Sequence, residues 1–335
     1  MAPANTRSAR SGPSDDDGSA ATLGQTGEFA LIEQITSGLE QGPAVQVGPG
    51  DDGAVIAVNG SLVCSIDTLV EGVHFRRDWS LPHEVGSKAV AASVADLEAM
   101  GATPVALTAS LSAPKDLSSS WARQCSAGMR VEAEKAGLSI VGGDVTGSRD
   151  ITIAVSVLGQ LEGRDPVRRG GAKAGQAVAM VGRVGWAAAG LAVLGRGFRS
   201  PRVMVQAQKV PEVPYGQGKV AALAGASSMI DISDGLLADL GHIAAASGVA
   251  IDLRADAFDV PEPMRAVAAA TGKDPMSFIL AGGEDHALVA TFPAERVPEG
   301  WSVIGAVVDG AGEMLLDGAG TTDLFEAGSG WDHFG

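Results

Sequence analysis

The sequence predicts a layered α/β (α+β) protein of two domains, and three observations carry that prediction. A chain of 335 residues is long enough for two cores. Apolar strand-like runs alternate with helical segments in both halves. Of the residues, 45% are hydrophobic but only 4% aromatic, and 46 are glycine, so small side chains and tight turns must do much of the packing.

Residues 1–26 are rich in Ser, Ala, Gly and Asp, offer little to bury, and read as a disordered tail. Asp15, Asp16 and Asp17 within it read as solvated charge. A first domain is expected over 27–162. It opens with Phe29, Ile32, Ile35 and Leu39 at helical spacing, until Gly42-Pro43 stops the helix. Strand-like runs follow at 54–58 and 62–66. A helix over 84–100 closes at Gly101 and leads into the strand PVALTASL. A second helix over 119–136 ends at Gly137, and the strands LSIV and ITIAVSVLG complete the half. The polar, Gly- and Arg-rich stretch EGRDPVRRGGAKAGQ marks the boundary to a second domain over 163–335. There the strand AVAMVG, the turn RVG and the helix WAAAGLAVLG come first. SSMIDIS, the helix GLLADLGHIAAAS and the strand VAIDL follow.

Composition narrows the function. A formal net charge of −16 argues against a nucleic-acid-binding surface. It also means that an anionic substrate must be met by local cations. Cys64 and Cys125 form no CxxC pair, so a disulfide scaffold or zinc site is not expected and a reducing cytoplasm is. Cys64 lies inside a strand and reads as core. No apolar stretch is long enough to span a bilayer, and the N-terminus carries no signal pattern.

The informative feature is a recurring placement of acids beside glycine at the ends of apolar strands. Asp51 and Asp52 stand in GPGDDGAVI, Asp67 in VCSIDTLVEG, Asp144 in IVGGDVTGS, and Asp231 and Asp234 in IDISDG. Asp96 joins them on a helix face shared with Ala89, Ala92, Ser93 and Met100. Any one of these has a plain explanation: Ser233 or Asp234 would cap the next helix, and Asp-Gly pairs make turns. Together they line the place where open α/β sheets bind ligands. Two carboxylates about 4 Å apart repel by roughly 4 kcal/mol at an effective dielectric near 20, so converging acids need cations. Donors that are all oxygen favour Mg²⁺, which usually brings phosphates.

The usual phosphate motifs are missing: there is no Walker loop, YGQGKV has the wrong spacing, and no kinase catalytic loop occurs. GRVGWAAAG would offer backbone N–H groups to a phosphate at a helix start, or serve equally as a packing turn. His242 lies in mid-helix with no second ligand nearby, whereas His74 follows Asp67 closely enough to touch a substrate.

The runs GEFALI, GPGDDGAVI, SIDTLVEGVHF, KAVAASVADLEAMGATP, IVGGDVTGS, IDISDGLLADLGHI, LAGGED and GWDHF, in this order, resemble the thiamine-monophosphate kinase family over Gly27 to Phe334. Parts of them are shared with a wider superfamily that includes aminoimidazole ribonucleotide and selenophosphate synthetases. The resemblance implies ATP-dependent phosphorylation of thiamine monophosphate to thiamine diphosphate, by direct in-line transfer and with several Mg²⁺ ions. It also implies a homodimer formed through the sheets of the N-terminal domain. Residue by residue, it assigns Asp52, Asp67, Asp96, Asp144, Asp231 and Asp234 to the metal ions, with Ser65 and the backbone carbonyl of Ile66. Gly143, Asp144, Arg169 and Ser233 fall to the nucleotide, and His74, Glu284 and Trp331 to the thiamine site. Asp144 and Asp234 take the catalytic positions.

Two residues depart from the family pattern: Ile66 stands where Ser or Thr is frequent, and His286 follows GGED where Tyr is usual. Another ATP-dependent activity of the superfamily, or a non-catalytic relative, stays open as an alternative. The selenophosphate reading expects a reactive Cys near the N-terminus, and none is present.

Overall fold

The structure, a computed structural model, describes residues 21–321. Residues 21–26, assigned to the tail by their composition, are anchored. Thr22 and Gln25 form a capping box on α1 (Leu23–Thr26), and the Leu23 and Gly24 N–H groups donate to the carbonyls of Leu117 and Lys115. Next come α2 (Glu28–Thr36) and a small antiparallel pair, β1 (Val45–Val47) and β2 (Val55–Ile56).

The first main sheet and its helices are β3 (Leu62–Val70), α3 (Pro82–Ala99), β4 (Thr103–Ala113), α4 (Ser119–Ala136), β5 (Ser139–Gly147) and β6 (Thr152–Gln160). The strand order is β3-β6-β4-β5, and only β4 and β5 run parallel. Leu69, Leu107, Ile153, Val155 and Val157 face α3 and α4 in one core. The helix α4 keeps the boundaries its sequence prescribes: the Ser118 side chain accepts the Ser120 N–H, and Gly137 stops the helix in the left-handed conformation. The opposite face of the sheet is only partly covered, by the hairpin of β1 and β2. Cys64 is exposed on that open face, not in the core as its strand position suggested, between Leu62 and Ile66, which are 49% and 63% exposed.

The second layer contains β7 (Ala177–Val181), α5 (Trp186–Leu194), α6 (Arg202–Lys209), α7 (Gln217–Ala224), β8 (Ser228–Asp231), α8 (Leu236–Ser247), β9 (Ala250–Leu253), α9 (Glu262–Thr271), α10 (Pro275–Ala281), β10 (Leu288–Phe292), β11 (Ser302–Val308), β12 (Met314–Leu316) and β13 (Ala319–Gly320). Its seven strands lie in the order β13-β12-β9-β11-β7-β10-β8, antiparallel except for β12 against β9. Helices therefore lie in layers against mostly antiparallel sheets, which is the α+β form of the predicted class.

The helix α3 ties the layers together. Every one of its 18 residues is buried except His83, Ala92 and Asp96. Small residues make this possible, because a Cβ on Gly86 would stand 1.9 Å from the Cys125 carbonyl oxygen of α4. A Cβ on Gly218 of α7 would stand 1.9 Å from the carbonyl oxygen of Glu98. Ala91 and Ala95 pack against Val213 and Tyr215, and Ala99 joins the core beneath β8 and β10. Among the described residues, no helix is long and apolar enough to cross a membrane.

Candidate active site

Acids from both layers meet where the open positions of α3 face the end of β8. Asp67 lies on the helix-packed side of β3, in register with the buried Val155. Asp96 comes from α3, and Asp231 is the last residue of β8. Burial pushes Asp96 up to about 6, helped by the charges of Asp231 and Asp67. The Ser65 hydroxyl, donating to Asp96 Oδ2 at 2.5 Å, pulls it the other way. Burial also raises Asp67, and the Asp231 charge adds to the effect. His286 Nδ1 stands 3.0 Å from Asp231 Oδ2. Burial alone would lower the imidazole, but the hydrogen bond and charge of Asp231, with Glu284 and Asp67, hold it above its ordinary value.

Three further carboxylates, not singled out in the sequence, fix turns and helix starts by accepting backbone N–H groups. Asp239 Oδ2 accepts from Ser233, Asp234 and Gly235 at 3.0, 3.1 and 3.1 Å, which fixes the turn between β8 and α8. Ser233 does not cap α8, as the sequence allowed; the cap position is Gly235, at φ 136°, which has no side chain to offer as a cap. Asp285 accepts from Gly185 at 2.6 Å and Ala187 at 2.9 Å, and so closes the start of α5. Glu98 does the same for α7, accepting from Gly216 at 2.7 Å and Gly218 at 2.8 Å. Burial drives Asp239 and Asp285 up to about 7 against the pull of those N–H groups. The helix start in GRVGWAAAG thus has two of its N–H groups taken by Asp285, which favours the packing role of that turn, and Glu98 does likewise in YGQGKV. The signal that selected Asp96, an acid in a small-residue helix pattern, was equally present at Glu98 and Asp239.

The GGED loop is clipped onto the turn after β8. The Glu284 N–H donates to the Ser233 carbonyl at 2.7 Å, and the His286 N–H to the Ile232 carbonyl at 2.8 Å. Both residues adopt positive φ, 66° and 54°. Glu284 Oε1 pairs with Lys88 Nζ at 2.9 Å. His74 lies on the loop after β3, where its Nδ1 accepts the Val70 N–H at 3.0 Å.

The remaining candidates are more scattered. Asp67 and Asp144 stand within their strands, not at the ends, because an edge strand tolerates a polar side chain and continues past it. Asp144 is in register with Ser110 on the open face of the sheet, while Asp67 is on the other face. Three strand spacings, about 14 Å, separate β5 from β3. Gly143 has a steric reason to be glycine, since a Cβ there would lie 2.2 Å from the Ala109 carbonyl oxygen. Asp52 is exposed in the turn before β2. Arg169 is exposed beside the start of β8, where its carbonyl accepts from the Ser247 hydroxyl at 3.4 Å, and Asp231 is at the other end of that strand. Ile66 turns its side chain to the open face. The edge position of β3 leaves alternate backbone groups unpaired, as a carbonyl ligand requires. Trp331 and the Asp15–Asp17 triplet lie outside the described residues.

Among the described residues, no three His, Cys, Asp or Glu side chains are close enough together to hold one ion alone. An ion at Asp67, Asp96 and Asp231 would take one or two carboxylates and complete its shell with water and phosphate oxygens, which is how Mg²⁺ binds. Oxygen donors that raise one another's pKa fit such a hard cation.

Known proteins are similar to this chain in sequence and fold. Residues 50–161 match the family described as AIR synthase related protein, N-terminal domain. The chain is similar to the thiamine-monophosphate kinase of Mycobacterium tuberculosis (strain ATCC 25618 / H37Rv), with 46% identity over 316 residues, 94% of this chain and 93% of the relative. It is similar to the solved thiamine monophosphate kinase of Aquifex aeolicus, at 29% identity and a TM-score of 0.72 over 87% of this chain and 96% of that one. It is also similar to AaThiL complexed with AMPPCP and TMP, at 33% identity and a TM-score of 0.74, covering 92% and 97% of the two chains. With such a relative aligned along nearly its whole length, the chain belongs to the thiamine-monophosphate kinase family.

Proposed function

We propose that the protein transfers the γ-phosphate of ATP to thiamine monophosphate, giving thiamine diphosphate. The observation that carries this is the meeting of Asp67 and Asp96 with Asp231 at the junction of the two layers, in a chain matched over 94% of its length by a thiamine-monophosphate kinase. A solved relative complexed with AMPPCP and TMP supports both substrates.

The nucleophile is a phosphate oxygen, already anionic at neutral pH, so the chain need not supply a strong base. What it must supply is alignment and charge neutralisation. Bound Mg²⁺ would neutralise and orient the phosphates. Asp67, Asp96, Asp231 and Asp234 are assigned to hold it, with Ser65 and the Ile66 carbonyl beside them. Asp239 fixes the turn that carries Asp234, and His286 orients Asp231 by engaging Oδ2. Asp52, and Asp144 beside Gly143, are assigned to ions that accompany the nucleotide, and Arg169 and Ser233 to the nucleotide itself. His74, Glu284 and Trp331 are assigned to the thiamine rings.

We also infer a cytoplasmic homodimer. Leu62, Cys64 and Ile66 form an apolar row on a sheet open at both edges, which suits burial against a second copy. Two cysteines without a disulfide suit a reducing compartment.

The direct test measures thiamine diphosphate formed from ATP, Mg²⁺ and thiamine monophosphate, with thiamine and the sibling substrates run alongside. Product is expected with thiamine monophosphate alone. Freshly purified protein that makes none would sink the reading.

A further inference from the structure

Lys88 sits on α3 two turns before Asp96, with Ala92 between them on the same stripe of the helix. Its side chain is only 4% exposed. The ammonium reaches acceptors on three separate segments: Glu284 Oε1 at 2.9 Å, the His74 carbonyl at 2.9 Å, and the Gln208 carbonyl of α6 at 3.3 Å. Two N–H donors meet the carbonyls, and the charge is paired with the Glu284 carboxylate. Two of those acceptors belong to residues assigned to the thiamine rings.

Glu284 is unlike the other acids near the site. It is 34% exposed, and its backbone is clipped to the Ser233 carbonyl at 2.7 Å. One carboxylate oxygen is held by Lys88. The other, Oε2, accepts no hydrogen bond from the described residues. A carboxylate oxygen fixed at both its backbone and its sister atom is a preorganised acceptor. Thiamine monophosphate carries an amino group on its pyrimidine and a positive charge on its thiazolium, and either suits such an oxygen.

We propose that Lys88 is a positioning residue for the ring end of thiamine monophosphate. By holding Glu284 Oε1 and the His74 carbonyl, it aims the remaining Glu284 oxygen at the substrate. The proposal rests on the kinase reading above. Eight residues of helix, about 12 Å, separate Lys88 from Asp96, so the ammonium serves ring recognition and not the phosphates.

The test varies each substrate in turn with Lys88→Met, Lys88→Arg, Glu284→Gln and the double variant Lys88→Met/Glu284→Gln, beside the unaltered protein. Loss of one charge-assisted contact predicts about a tenfold or larger rise in the KM for thiamine monophosphate in Lys88→Met. The KM for ATP and kcat should hold, and Lys88→Arg should recover part of the loss. If Lys88 acts through Glu284, the double variant will be no worse than Glu284→Gln alone.

An unchanged KM for thiamine monophosphate in Lys88→Met overturns the proposal. So does an equal loss in kcat and both KM values, or additive losses in the double variant. If Lys88→Met fails to melt cooperatively, Lys88→Gln is judged by the same criteria. No product from the unaltered protein removes the kinase reading and the proposal with it. Product from the unaltered protein with unchanged KM in the variant removes the proposal alone.

Discussion

Asp285 closes a helix that begins one hundred residues earlier in the chain: its Oδ2 accepts the Gly185 N–H at 2.6 Å. The same carboxylate accepts from Ala187, so the GGED loop and the start of α5 are one unit. Asp285→Ala would leave two buried N–H groups without acceptors, at roughly 1–3 kcal/mol each. Melting should fall by several degrees, on the order of 2–4 °C for each kcal/mol in a chain of this class. Asp285→Asn, which keeps one acceptor, should lose less. Equal melting temperatures for Asp285→Ala and the unaltered protein would refute the capping role.

Asp234→Asn should separate chemistry from folding. The Asp234 N–H is the group that Asp239 holds, and that backbone bond survives the substitution. Turnover should drop by roughly 10–100-fold while melting stays within a degree or two, as for a residue that holds an ion. Steady-state assays and circular dichroism check both. Full activity would remove Asp234 from the metal set.

The titration of the site gives a signed prediction. Asp96 at about 6, and Asp239 and Asp285 at about 7, all lie above their ordinary value of 3.8. The folded protein keeps these protons longer than the unfolded chain, so metal-free stability falls as pH rises from about 4 through 7. His286 is also raised, and its contribution is complete below 6.5 and lost as pH climbs through its folded value. Thermal melts in chelator should therefore be lower at pH 8 than at pH 5.5. Mg²⁺ bound at Asp96, as proposed, would displace its proton, so the stabilising effect of added Mg²⁺ should grow as pH rises through 6. The opposite slope would contradict the cation assignment.

A charge on the open sheet face should break the proposed homodimer. Ile66→Asp places a carboxylate on a side chain that is 63% exposed in the single chain. Little stability should be lost within the chain, while sedimentation should shift from dimer to monomer. A variant that sediments like the unaltered protein would move the interface elsewhere.

The backbone plan of the first sheet was readable because its signals are local. Ser118 and Gly137 bracket α4 within a few residues, and the alternation in ITIAVSVLG names the buried face of β6. The acid group was partly readable, since Asp67, Asp96 and Asp231 each interrupt an apolar pattern. What stayed hidden depends on distance along the chain. Glu98 meets Gly216 across 118 residues, and Asp285 meets Gly185 across 100. No spacing rule reports such pairs. Strand ends were misjudged at Asp67 and Asp144 because a polar residue looks like a terminus, although an edge strand runs on through it.

The burial of α3 on nearly every side also bears on how such a protein can be inherited. A chain cut near residue 162 would expose to water the flank of α3 where Ala91, Ala95 and Ala99 now meet the second layer. The remaining piece would expose Met229, Leu288 and Phe292 in turn. Neither half could be exchanged between genes as a free-standing module without first acquiring a new polar flank, so recombination is expected to carry the two domains together.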